Sequence, residues 1–138
     1  MAQISFDALV ARREQREADR LTVCQIKIPG TDDHLLCRKP TEDKMLDFYG
    51  KFQAAQDAQD VILIVDEALY HCCEQLQDGK LREAIGVKDP LDVVPALFSI
   101  AERDVMGGDL LRFLGLLPPK SGTDEADEPS TPENPAKN

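Results

Sequence analysis

His71, Cys72 and Cys73 stand side by side, and Cys24, His34 and Cys37 form a second group upstream. Thiolate and imidazole are the common zinc ligands, and a thiol beside an imidazole can also serve as a nucleophile with its base. A structural zinc site takes about four ligands, usually a Cys-x-x-Cys knuckle completed by a second pair. Adjacent Cys72 and Cys73 on a helix would point about 100° apart and could not easily share one ion. Cys24, Cys37 and His34 could in principle complete a set. The plainer reading is that small, apolar cysteines fill gaps in helix packing. Catalysis has less support. His71 has no evident group to orient it, and there is no Gly-rich nucleophile turn or phosphate loop. Asp66 and Glu67 are neighbours on a helix and face different ways. The expectation is a chain that is not an enzyme and uses no metal or cofactor.

The elements that must position these residues come from a chain of 138 residues, a length suited to one domain. Apolar residues make up 42% and charged residues 30%, a globular balance. With five Phe, two Tyr and no Trp, the core must be aliphatic. The net charge of −10, from 26 acids against 16 bases, argues against nucleic acid, whose affinity for proteins comes from cations that neutralise phosphates. It also argues against an anionic membrane surface. No apolar run approaches the ~20 residues of a membrane span, and MAQISFDALVARREQ does not read as a secretory signal. A cytosolic setting follows as an expectation, with all four Cys as reduced thiols.

Ser5 can cap a helix whose Phe6, Leu9 and Val10 share a face. It continues as ARREQREADR, polar all round and charge-balanced, so residues 1–20 read as an arm. LTVCQIKI and HLLCRK, separated by Pro29-Gly30-Thr31-Asp32-Asp33, read as a β-hairpin. If Cys24 stands opposite Cys37, Ile26 faces Leu35, and all four look toward the helices. Thr41 caps a helix that begins with Glu42-Asp43 and carries Met45, Phe48, Tyr49 and Phe52. The segment AQDVILIVDEALYHCCEQL follows. Its stripe of Ile62, Val65, Leu69, Cys72, Cys73 and Leu76 makes it the central helix, despite β-branched residues that suit a strand.

LREAIGV, stopped by Gly86, is a short helical piece, and Asp89-Pro90 opens LDVVPALF, a helix kept short or bent by Pro95. The last helix runs from about Ser99 to Leu114 and stops at Gly115. Gly107-Gly108 inside it is costly. Either two short helices meet there, with Asp109 re-capping the second, or the pair is a hinge. Residues 21–117 thus form a hairpin plus helical domain. Residues 118–138, with five of the nine Pro, are expected to be a disordered acidic tail. The fold class is α+β, mainly α-helical: about five helices packed with one two-stranded antiparallel hairpin.

In this order the elements resemble the XkdN-like phage tail assembly chaperones. The matching stretches are FDALVAR, then LTVCQIKIPGTDDHLLCRKPTEDK, VILIVDEALYHCC, LREAIGV with DPLDVVPALF, and IAERDVMGGDLLRFLGLL. The resemblance covers roughly residues 5–117. It departs at the hairpin, which is shorter than usual, and at Gly107-Gly108. What it implies is a non-catalytic protein of the infected cell's cytoplasm, absent from the mature virion. Such a protein keeps the long tape measure protein soluble, with the tail tube protein as a further possible partner; a homo-oligomer is left open. The resemblance also implies that such chaperones are often made in two lengths by ribosomal slippage, for which Pro118-Pro119-Lys120 is the place to look, with a plain disordered tail as the favoured reading. An acidic adaptor or DNA mimic blocking a basic host protein is the alternative, although the acids are scattered through all the elements. Phe6, Leu9 and Val10 on the arm and Leu110, Leu111, Phe113 and Leu114 on the last helix are the candidate partner surface. The competing reading is that they close the core.

Overall fold

A computed structural model describes residues 3–118, so the tail expected over 118–138 and the slippage point at Pro118-Pro119-Lys120 lie, but for Pro118, outside the described residues. Helix α1, Phe6–Arg20, begins where the Ser5 hydroxyl accepts the Ala8 N–H. Strands β1, Val23–Lys27, and β2, His34–Arg38, form an antiparallel hairpin. Its turn is closed by the Ile28 N–H to the Asp33 carbonyl, and Gly30 supplies the positive φ of 79° that the reversal needs. The register pairs Cys24 with Cys37 and Ile26 with Leu35, as the alternation requires. Ile26, Leu35 and Cys37 are buried and Cys24 is half-buried.

Helix α2, Glu42–Ala54, is capped by Thr41, which accepts the Lys44 N–H, and two acids lie in its first turn. Helix α3, Ala58–Cys72, is the centre of the fold and buries Ile64, Val65, Ala68, Leu69 and Cys72. The helical reading of VILIV therefore holds over the strand alternative. The helix is shorter than its apolar stripe suggested. Gln77 donates to the Tyr70 and His71 carbonyls, so a side chain takes up acceptors that a further helical turn would have used. Cys73 is extended, and Leu76 reaches the core from a 3₁₀ turn over Glu74–Gln77.

Helix α4, Gly79–Ala84, is followed by a 3₁₀ turn, Pro90–Asp92, that leads into α5, Val93–Leu97. Pro95 falls in the first turn of α5 and is exposed, so it interrupts nothing. Helix α6, Ile100–Leu114, opens with a capping box: Glu102 N–H to the Ser99 hydroxyl, and Ser99 N–H to the Glu102 carboxylate. It ends at Gly115, whose φ is 81°. The described residues thus form six helices and one hairpin, mainly α in an α+β fold.

Two expectations about α6 need correction. The helix runs unbroken through Gly107-Gly108, so Asp109 starts no second helix. Gly107 is buried where α6 crosses α3. A Cβ there would come within 2.7 Å of Val65 Cγ2 and 3.1 Å of Val65 Cβ, so the missing side chain is what lets the two helices approach. Leu110, Leu111 and Leu114 lie on the same face as Met106 and Gly107 and are between 0 and 6% exposed. They close the core and are not free surface. One buried ion pair joins α3 to α6: Arg103 Nη1 donates to Asp66 Oδ2 at 2.6 Å. Burial pushes the Asp66 carboxyl up despite the Arg103 charge beside it.

Candidate functional site

The cysteines and histidines of the sequence do not converge on one point. Strand β2 lies across the C-terminal end of α3, and the extended backbone of Cys73 brings its Cα within 4.5 Å of the Cys37 Cα. The two are joined in a disulfide, which corrects the expectation of four reduced thiols. Cys24 and Cys72 are free. Burial pushes the Cys72 thiol up to about 12, and burial followed by the Asp109 charge raises Cys24, so neither is a ready thiolate. Among the described residues no three His, Cys, Asp or Glu side chains are grouped to hold a metal ion.

His71 packs edge-on against Tyr70, with ring centroids 5.6 Å apart, and lies 6.3 Å from the Phe48 ring. Its Nε2 is 3.9 Å from Glu67 Oε2. Glu67 itself is engaged by two lysines, Lys51 at 2.8 Å and Lys44 at 3.2 Å, which also meet Asp47. Burial would raise the Glu67 carboxyl, but these lysines outweigh it and hold the group below its ordinary range. Burial and then the Lys44 charge keep the His71 imidazole low. The cluster ties α2 to α3. Asp66 and Glu67 point to different partners, Arg103 and the two lysines.

The arm is different. Helix α1 has no buried residue, and Phe6, Leu9 and Val10 are 79, 53 and 45% exposed. Its Arg16 reaches Glu42 on α2 at 3.3 Å. Between α1 and α2 lies a groove of about 390 Å³, with Arg16, Asp19 and Arg20 on one wall and Glu42, Met45, Leu46 and Tyr49 on the other. Lys39 and Pro40 line it too, as do Leu114, Gly115 and Leu116 at the end of α6. Phe113 is half-buried, with the Lys39 ammonium 5.2 Å from its ring centre.

Of the seven proposed contact residues, then, Phe6, Leu9 and Val10 are available to a partner. Leu110, Leu111 and Leu114 are not, and Phe113 is partly so. The groove residues were not singled out from the sequence, yet a signal was there. At 100° per residue Arg13, Arg16 and Arg20 continue the side of α1 that carries Phe6, Leu9 and Val10, so the second half of the arm is not evenly polar. Arg13, Arg16, Glu17 and Arg20 line a smaller dip of their own. No described helix is long and apolar enough to cross a membrane. No protein-family model matches the chain, and neither does any curated protein or solved structure.

Proposed function

We propose that the chain is a non-catalytic binding protein of the XkdN-like tail assembly chaperone kind. In this reading it acts in the host cytoplasm and covers apolar stripes of a long helical partner, the tape measure protein, during tail assembly. The observation that carries this reading is α1, a helix whose apolar face at i, i+3 and i+4 is largely exposed and holds no buried residue. A free amphipathic face of this kind suits helix-to-helix packing with a partner. The acidic body would help keep the covered assembly in solution.

The DNA-mimic alternative gains no support. Asp66, Glu67, Asp47, Glu42 and Glu17 are each within ion-pair distance of a lysine or arginine, so these five could not serve as free phosphate-like charges. The test is co-expression with the long tail protein followed by affinity capture. Phe6→Asp and Leu9→Asp should each cut capture strongly while leaving the melting temperature within about 2 °C, since surface changes are worth about 0.5 kcal/mol or less. Unchanged capture would remove α1 from the partner surface. A matching loss of folding would place both residues in the core.

A further inference from the structure

The groove beside the arm is lined also by Leu114, Gly115 and Leu116, just before Pro118, the last described residue. Twenty residues follow Pro118, with Asp124, Glu125, Asp127, Glu128 and Glu133 against Lys120 and Lys137, a net charge of −3. The groove and the adjoining dip carry four cations, Arg13, Arg16, Arg20 and Lys39, against three acids, Glu17, Asp19 and Glu42. That leaves a local balance of +1 on a chain whose total is −10.

The arginines are not used up by their neighbours. Arg13, Arg16 and Arg20 side chains are 80, 66 and 58% exposed, and their ion pairs are long, at 3.9, 3.3 and 3.4 Å. A guanidinium has five N–H donors, so each can take a further carboxylate. Reach is no obstacle. From Leu116 to Asp124 is eight residues, up to about 29 Å of extended chain, while Arg13 to Arg20 spans only about 10 Å of helix.

We propose that the acidic stretch Asp124–Glu128 of this same chain docks on Arg13, Arg16, Arg20 and Lys39, over the groove between α1 and α2. Position favours this occupant over a separate acidic chain, because a short tether holds it at an effective concentration on the order of millimolar. The stretch is then an intramolecular competitor for any acidic segment the arm's arginines bind, whatever that partner is. The contact lies on the surface and is screened by salt.

The test uses the full chain, labelled for amide NMR, at 50 and 500 mM salt. One variant neutralises the stretch (Asp124→Asn, Glu125→Gln, Asp127→Asn, Glu128→Gln), and a second changes Arg13 and Arg16 to Gln. Neutralisation should shift the amides of residues 13–20 and 39–49 while leaving those of α3 in place. High salt should reproduce these shifts in the unmodified chain, and the arginine variant should shift amides 124–128. Spectra of α1 that do not respond to neutralisation overturn the proposal. So do shifts that grow with protein concentration, which would assign the contact to a second copy.

Discussion

Replacing Gly107 and Gly108 by Ala, one at a time, should stabilise the fold at position 108 and not at position 107. In a helix interior Ala is favoured over Gly by about 1 kcal/mol, and that gain is common to both sites. At position 108 the new Cβ would meet only the far end of the Arg112 side chain, at 3.4 Å, and a flexible guanidinium can give way. Gly108→Ala should therefore stabilise by up to about 1 kcal/mol. At position 107 the new Cβ would lie 2.7 Å from Val65 Cγ2 and 3.1 Å from Val65 Cβ. Val65 is 3% exposed and stiff at χ1, so the two helices must part. Overpacking of this kind costs about 1–3 kcal/mol, which leaves Gly107→Ala neutral to about 2 kcal/mol destabilising. Urea unfolding at constant m-value reads the difference directly. In a Val65→Ala background the penalty should disappear, with a coupling of about 1–3 kcal/mol in the double-mutant cycle. If Gly107→Ala were as stabilising as Gly108→Ala, or the cycle additive within about 0.5 kcal/mol, close approach would not be the reason for Gly107.

Three further outcomes follow from the same structure. The Cys37–Cys73 link closes a loop with a sequence separation of 36. Its loss by reduction or by Cys73→Ala should cost up to about 4 kcal/mol on chain-entropy grounds, whereas Cys24→Ser should leave the response to reductant unchanged. Four titratable thiols in the denatured, unreduced protein would refute the link. His71 is held below 6.5 in the fold, so between 6.5 and its lower folded pKa the unfolded chain binds a proton that the folded chain does not. Stability should fall as pH drops through that window, and His71→Gln should remove this part of the slope; unfolding curves for variant and parent that stay parallel from pH 7 to 5 would sink the assignment. Finally, α1 amides should exchange hydrogen far faster than those of Ala68 and Leu69 in α3, because a 15-residue helix without a buried face has little to hold it. Equal protection of the two helices would mean the arm is packed.

What was legible in the sequence was local chemistry. Ser5, Thr41 and Ser99 announce helix starts because a short side-chain oxygen can accept from the first turn, and Gly115 announces an end because it tolerates positive φ. Alternation across Pro29–Asp33 fixed the hairpin register, since a slip by one residue would turn Ile26 and Leu35 outward. What was not legible depends on elements meeting. The disulfide needs β2 to cross the end of α3, and the end of α3 needs Gln77 to fold back on it. Gly107 looks like a helix breaker until Val65 is placed against it. The core leucines of α6 did leave a trace. Met106, Leu110 and Leu114 repeat every four residues beside Gly107 and Leu111, a stripe long enough to be a core face.

The arm's apolar stripe stops after Val10, and that brevity bounds what the proposed partner surface can do. Fully burying a side chain of this size is worth about 1.5–3 kcal/mol, so Phe6, Leu9 and Val10 together, already partly covered, could supply about 3–6 kcal/mol. Bringing two molecules together costs about 4 kcal/mol or more before any ordering of the arm is counted. One arm on one site is therefore a weak, rapidly reversible contact. Under the proposed function that weakness would suit a chaperone that must later leave its client, and a long client would compensate for it by offering many sites. Leu46 and Tyr49, exposed on the far wall of the groove, could add burial if a partner helix lay along it, although there the chain's own acidic stretch would compete. Binding on this account should be strong only where several copies engage one client, so capture should fall off steeply as the client is shortened.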